Sequence, residues 1–263
     1  MSDRTLAGCR VLVVGASAGI GRAMAIRAVK EGADVLMAAR RADRLEEACA
    51  EAGGGHAVPA DIRADADCDR LMEAVRDRLG RIDVLVSCVG VAPMRLLADT
   101  TAADWHRVFD TNVVATHRLL RACLPSLAPR AMVLCLSSES VRQPRTALAA
   151  YATSKAALER LIEGWRAEHP ELRLTRVTVG ATFPTEFGDG FEAGLLTRAL
   201  NDWSARGLAQ AEFMAPEEVA DVLNGVIAAA CRYPGVCVDD LTVRSPSPVV
   251  GTFGGAIDEA LND

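Results

Sequence analysis

The chain has 263 residues, half of them hydrophobic and 24% charged, with 4% aromatic side chains and a formal net charge of −6. This balance suits one substantial core and excludes collagen-like and intrinsically disordered chains. No apolar run reaches the roughly 18 residues of a membrane helix, and an acidic chain without a basic block is a poor nucleic-acid binder. The opening residues Met1-Ser2-Asp3-Arg4 lack the charged-then-apolar layout of a secretory leader, so a reducing, cytoplasmic setting is expected. The eight cysteines are scattered and include no C-x-x-C pair, so neither a disulfide framework nor a zinc site is expected. The four histidines show no metal-ligand spacing either. Lysine occurs only at positions 30 and 155, and tyrosine only at 151 and 233.

Short apolar runs alternate with helical patterns along the chain. Residues 11–14 read as a buried strand and 21–31 as the helix after it. A second strand is expected over 34–39 and a helix over 41–52, closed by Gly53-Gly54-Gly55. Residues 56–60 read as a short or edge strand because they contain Pro59. An amphipathic helix over 64–79 carries Leu71, Val75 and Leu79 at four-residue steps. A fourth strand over 82–86 precedes one long helical region over 102–127. Strand 131–136, helix 147–168 and strand 172–179 follow. A helix over 216–231 opens on Pro216-Glu217-Glu218, a sequence that favours a helix start. A seventh strand is expected over 235–243. Near-continuous apolar strands alternating with helices predict an α/β fold: one doubly wound parallel sheet, Rossmann-like, with helices on both faces. No linker or internal repeat interrupts this pattern, so one domain is expected over 1–263. Within it, 185–214 forms a loop over the substrate and 245–263 a C-terminal tail.

The first strand runs directly into Gly15-Ala-Ser-Ala-Gly19-Ile-Gly21 and then a helix. Glycines permit sharp turns and close backbone approach, and a helix N-terminus favours a pyrophosphate. Downstream, Tyr151-Ala-Thr-Ser-Lys155 places a phenol and an ammonium on one helix face. A phenol near pKa 10 is too weak a base at neutral pH, and an adjacent cation is expected to lower it. Ser138 precedes the tyrosine by thirteen residues, with Ser137 as the neighbouring alternative. Asn112 sits in Trp105-His-Arg-Val-Phe-Asp-Thr-Asn.

With these motifs the chain resembles the short-chain dehydrogenase/reductase family over most of its length. The resemblance implies Asn112, Ser138, Tyr151 and Lys155 as the catalytic set. Ser138 would bond the substrate oxygen and Tyr151 would exchange the proton. Lys155 would bond the nicotinamide ribose, and Asn112 would hold a helix irregularity and a relay water. It implies cofactor contacts at Gly15, Ser17, Gly19, Ile20 and Gly21, at Asp61 for adenine, and at Gly90. Asp61 also reads as a helix cap. Thr185 is the first choice for the carboxamide contact and Thr182 the second. The family's Thr before the first glycine is Val14 here, its Asn-Asn-Ala-Gly is Ser87-Cys88-Val89-Gly90, and its Pro-Gly is Val179-Gly180.

The second strand ends Ala39-Arg40-Arg41, where an acidic residue would read a ribose 2′-hydroxyl and an arginine a 2′-phosphate. NADP(H) is therefore expected, with Arg40 as main partner and Arg41 as helper. The residues 185–214 include Phe187, Phe191, Leu195, Leu196 and Trp203, which suit a largely apolar ketone or alcohol or, equally, internal packing. The resemblance implies a homodimer or homotetramer. The expected activity is interconversion of a carbonyl and an alcohol by hydride transfer. The competing expectation is a nucleotide-binding regulator or scaffold without turnover.

Overall fold

The computed structural model describes residues 6–210 and 212–246. Seven strands form one parallel sheet: β1 (Arg10–Val14), β2 (Asp34–Ala39), β3 (His56–Pro59), β4 (Ile82–Ser87), β5 (Leu127–Ser138), β6 (Arg173–Val179) and β7 (Asp240–Val243). Their spatial order is β3-β2-β1-β4-β5-β6-β7, so the chain reverses direction between β1 and β4. There Val14 lies in register with Ser87. Ligands of open α/β sheets bind beyond the carboxyl ends of the strands at such a switch point. The Pro-containing β3 is an edge strand, as its sequence requires.

Alternation along the strands divides the core into two layers. Val11, Val13, Met37, Val86 and Leu134 face one side. They pack there against α1 (Gly19–Lys30), α2 (Ala42–Ala52) and α8 (Pro216–Arg232). Leu12, Leu36, Leu85 and Val133 face the other side. Their partners are α3 (Asp65–Arg78), α5 (Ala115–Cys123) and α6 (Ala149–Glu168). Leu12, Leu36 and Leu85 are fully buried. Each such side chain contributes about 1.5–3 kcal/mol relative to exposure. This two-sided burial is why the strands read as unbroken apolar runs.

Three stretches differ from the sequence reading. The region 102–127 is not one helix: α4 (Ala102–Phe109) passes through a π-helical turn at Asp110–Val114 into α5. Leu127 already belongs to β5. The seventh strand is confined to Asp240–Val243, because only these residues pair with β6, opposite Arg176–Val179. The region 185–214 is not an irregular loop but holds α7 (Ala193–Ala205). Ala199 and Trp203 pack with Met94, Ala147 and Leu148, forming a third, smaller core. Of the expected C-terminal tail, residues 247–263 lie outside the described residues. No helix among the described residues is long and apolar enough to cross a membrane.

Candidate active site

The glycine loop closes against the end of β4. Gly15 has φ +91° and lies so near Cys88 that a Cβ would meet its backbone at 3.0 Å. At Gly21 a Cβ would fall 2.4 Å from the Gly15 carbonyl, which no side chain tolerates. Ala18 is the N-cap of α1 and contributes no side-chain cap, and the first turn holds no acid. The helix therefore presents uncapped N–H groups and its positive end to the crevice, a fit for a pyrophosphate. Ser17 and Ile20 flank the turn, and Thr185 faces it, 3.5 Å from where a Gly19 Cβ would stand. Thr182 instead turns its hydroxyl onto the Gly180 carbonyl at 3.1 Å. Of the two threonines, only Thr185 is thus shown at the loop.

Arg41 donates to Ser17 Oγ at 3.0 Å and forks onto Glu186 at 2.8 and 2.6 Å. Arg40 is exposed and makes no ion pair among the described residues. Asp61 does not cap α3, whose N-cap is Ala64. Its carboxylate instead grips Arg63, at 2.6 Å to one terminal nitrogen. Asp67 reaches back to the Asp61 N–H at 2.8 Å.

The π-turn directs Asn112 inward with none of its surface exposed. Its Oδ1 accepts from Val91 N at 2.8 Å, and its Nδ2 donates to Val91 O at 3.0 Å and Ser154 Oγ at 2.9 Å. The side chain thus ties the segment after β4 to α6. Lys155 Nζ donates to Leu136 O at 2.8 Å and Val89 O at 3.3 Å. A Cβ on Gly90 would lie 3.2 Å from that nitrogen, so glycine keeps the approach open. An ammonium has three protons, leaving one for a ligand.

Ser137 and Ser138 separate cleanly. Ser137 is committed to Glu159 at 2.6 Å, whereas Ser138 lies near enough to the Tyr151 phenol to favour its ionised form and receives the Ser140 N–H and hydroxyl at 3.2 and 3.0 Å. Burial pushes the Tyr151 phenol up to about 12, with Ser138 pulling the other way. The sequence reading expected Lys155 to lower it. The ammonium instead stands 5.9 Å from the ring centroid, directed at carbonyls, and desolvation is the largest effect on the phenol. Burial likewise holds the Lys155 ammonium down at about 8.

Phe187 covers the tyrosine, ring to ring at 5.0 Å, and meets Phe191 at 5.8 Å. Leu195, Leu196 and Phe191 pack against the third core. A polar cluster without any periodic signal in the chain lies beside Ser138. Glu139 is ion-paired with Arg145, Gln210 donates to Glu139 at 3.3 Å, and Arg145 donates to Leu208 O at 3.2 Å while stacking over Trp203. The Trp203 indole N–H donates to Thr146 O at 3.1 Å, so α7 is latched to the segment after β5. The described residues hold no cluster of His, Cys, Asp and Glu suited to a metal.

A family model described as short chain dehydrogenase matches residues 10–191. The chain belongs to the short-chain dehydrogenase/reductase family. The family's members are oxidoreductases that use a nicotinamide cofactor. A bicyclic hydroxy-methyl-oxo-indene-carboxyl-CoA reductase of Mycobacterium tuberculosis is 31% identical over 86% of this chain and 93% of its own length. Glycine betaine reductase ATRR of Emericella nidulans is 30% identical over 91% of this chain. The chain spans 19% of that protein's length, and 63% of the short-chain dehydrogenase/reductase FrzI of Cladobotryum sp. A dehydrogenase/reductase from Sinorhizobium meliloti superposes with a TM-score of 0.77 at 25% identity, covering 92% of this chain and 95% of that one. An alcohol dehydrogenase from Thermococcus sibiricus, complexed with 5-hydroxy-NADP, gives 0.76 at 22% identity over 90% and 97% of the two chains. Its likeness shows the shared short-chain dehydrogenase fold alone.

Proposed function

We propose that the chain works as a single catalytic domain, reducing a largely apolar ketone or aldehyde with NADPH, or running the reverse reaction. The observation that carries the reading is the convergence of Ser138, Tyr151 and Lys155 beside the glycine loop, at the carboxyl ends of the strands. When bound there, the nicotinamide supplies or accepts hydride. Gly15, Ser17, Gly19, Ile20 and Gly21 form the turn that would accept the pyrophosphate, Gly90 would leave room for the ribose next to Lys155, and Thr185, which faces that turn, would bond the carboxamide. Arg40 and Arg41 offer guanidinium groups to a 2′-phosphate, a geometry that suits bidentate binding. Asp61 would contact adenine by sharing the carboxylate that now binds Arg63.

A substrate carbonyl between Tyr151 and Ser138 would accept hydrogen bonds from both hydroxyls. The phenol holds its proton at neutral pH, since burial raises it, so Tyr151 acts as the acid in reduction. Lys155 supplies positive charge below the phenol, and Asn112 holds the π-turn and the start of the loop that carries Gly90. Phe187 closes the pocket with an apolar wall against water. Arg145 Nε and Gln210 Oε1, both buried and unpartnered beside Glu139, would offer a substrate a polar donor and an acceptor.

The test is cofactor consumption by the purified chain against a carbonyl panel, with NADPH and NADH in parallel. Apolar ketones should be reduced with NADPH preferred. Tyr151→Phe should lower kcat by about 10²–10⁴-fold, the range for one acid–base group, with little change in NADPH binding. Undiminished reduction by that variant would remove Tyr151 from its role. Tight NADPH binding without turnover on any panel member would favour the regulator reading.

A further inference from the structure

The end of the sheet opposite the active site carries an unassigned feature. Cys9, just before β1, and Cys231, in the last turn of α8, lie 222 residues apart in sequence, yet their sulfurs are 2.7 Å apart. That separation is inside van der Waals contact but longer than the ~2.05 Å of a formed bond, so the two thiols touch without being joined. Both thiols are free and only half-buried. They line a cavity of about 810 Å³ at the amino ends of the strands. Arg10, Arg81, Arg130, Arg173 and Arg232 line the same cavity, against the single acid Asp83 among its described lining residues.

We propose that Cys9 and Cys231 are a disulfide-forming pair, closed by exchange with an anionic small-molecule disulfide admitted through this arginine-lined cavity. Cys9 is the attacking sulfur. Its thiolate is favoured by the bond to Cys231 and by Arg10 and Arg173, against the opposing effects of burial and Asp83. The Cys9 thiolate attacks one sulfur of the small disulfide, the S–S bond of that molecule breaks, and one small thiol leaves with a proton. Cys231, deprotonated in turn, attacks the Cys9 sulfur, and the second small thiol departs with the second proton. Two protein thiols are oxidised and one small disulfide is reduced to two thiols. The sulfurs are already adjacent, so the second step needs little backbone movement. No other two cysteine sulfurs are in contact among the described residues, and burial raises the thiols of Cys68, Cys123 and Cys135.

The experiment exposes the reduced full-length chain to oxidised glutathione and then reads free thiols, intact mass and non-reduced tryptic peptides. The expected result is loss of two thiols with no glutathione retained, a mass lower by two hydrogens, and one linked pair of peptides carrying Cys9 and Cys231. Cys9→Ser and Cys231→Ser should each abolish that link, and the oxidised wild type should melt higher than the reduced form. The wild-type peptide map stands alone if a variant fails to fold. Retention of all eight thiols, glutathione left on Cys9 without the link, or a link joining other cysteines would overturn the proposal. The uncharged disulfide of mercaptoethanol, at equal concentration, should react more slowly. Equal rates would remove the arginines from the proposal.

Discussion

Lys155 and Tyr151 are two groups whose environment moves them in opposite directions. Burial holds the ammonium down at about 8 and lifts the phenol to about 12. Below about 8 both carry their protons, which is the state reduction needs. As pH rises through the Lys155 value, the charge beside the phenol is lost while the phenol itself is still protonated. The kcat/KM for carbonyl reduction should therefore be level at neutral pH and fall on the alkaline side around 8. Oxidation of the alcohol, which needs the phenolate, should rise with pH instead. Lys155→Met should be slow throughout and lack the alkaline limb. A wild-type reduction profile level to about 10, near the value of a free lysine, would show that burial does not lower Lys155 to about 8. Arginine serves nearly every other basic position in this chain, yet its planar fork would not fit where a compact ammonium meets two carbonyls with Gly90 alongside.

At the scale of elements, the π-turn at Asp110–Val114 decides where Asn112 points. Such bulges gather at functional sites because they turn one side chain out of the regular helical register. Asn112 uses this to satisfy both polar groups of Val91 and the hydroxyl of Ser154. Asn112→Ala should destabilise the chain by about 1–3 kcal/mol in urea unfolding, the penalty for a buried polar group left unsatisfied. Activity should fall further than stability, since the Gly90 segment loses its anchor. Asn112→Asp keeps the acceptor but no donor and should recover part of the stability alone. If Asn112→Ala unfolds like wild type, the three bonds do not hold the turn. The sheet strands, the helices between them and the Tyr151–Lys155 pair were legible because each leaves a periodic or local mark: a continuous apolar run, a glycine turn, a four-residue spacing. The π-turn leaves no periodic mark, since one extra residue in a helix barely disturbs an apolar repeat, and only the family resemblance at Asn112 pointed to an irregularity there. Helix α7 did leave a mark, with Leu195, Ala199 and Trp203 four residues apart, but it sits in a stretch read as loop. The Glu139–Arg145 pair and the contact of Cys9 with Cys231 depend on tertiary folding, and sequence spacing carries no trace of them.

Across the whole molecule, the strand order concentrates chemistry at one end. Every strand points its carboxyl end toward the glycine loop, the Ser138 segment and the start of the 185–214 region, so three distant parts of the chain meet there. Arg41 shows how they are linked: it bonds Ser17 in the loop and Glu186 beyond β6 at the same time. The guanidinium pulls Glu186 below the usual carboxylate range. A carboxylate thus occupies a group proposed for the 2′-phosphate. The two anions compete, and the phosphate must displace Glu186 or share Arg41 with it. Both partners are half exposed, at 42% and 45%, so solvent screens the pair. The contribution of such a pair is about 0.2–1 kcal/mol, or up to about fivefold in binding. Glu186→Gln should therefore tighten NADPH by up to that factor while leaving NADH unchanged, because NADH brings no 2′-phosphate to Arg41. Fluorescence titration of both cofactors measures the ratio. Parallel tightening of both would mean that Glu186 governs access to the crevice as a whole. Weaker NADPH binding would mean that Glu186 holds Arg41 in place for the phosphate, and the competition argument would fail.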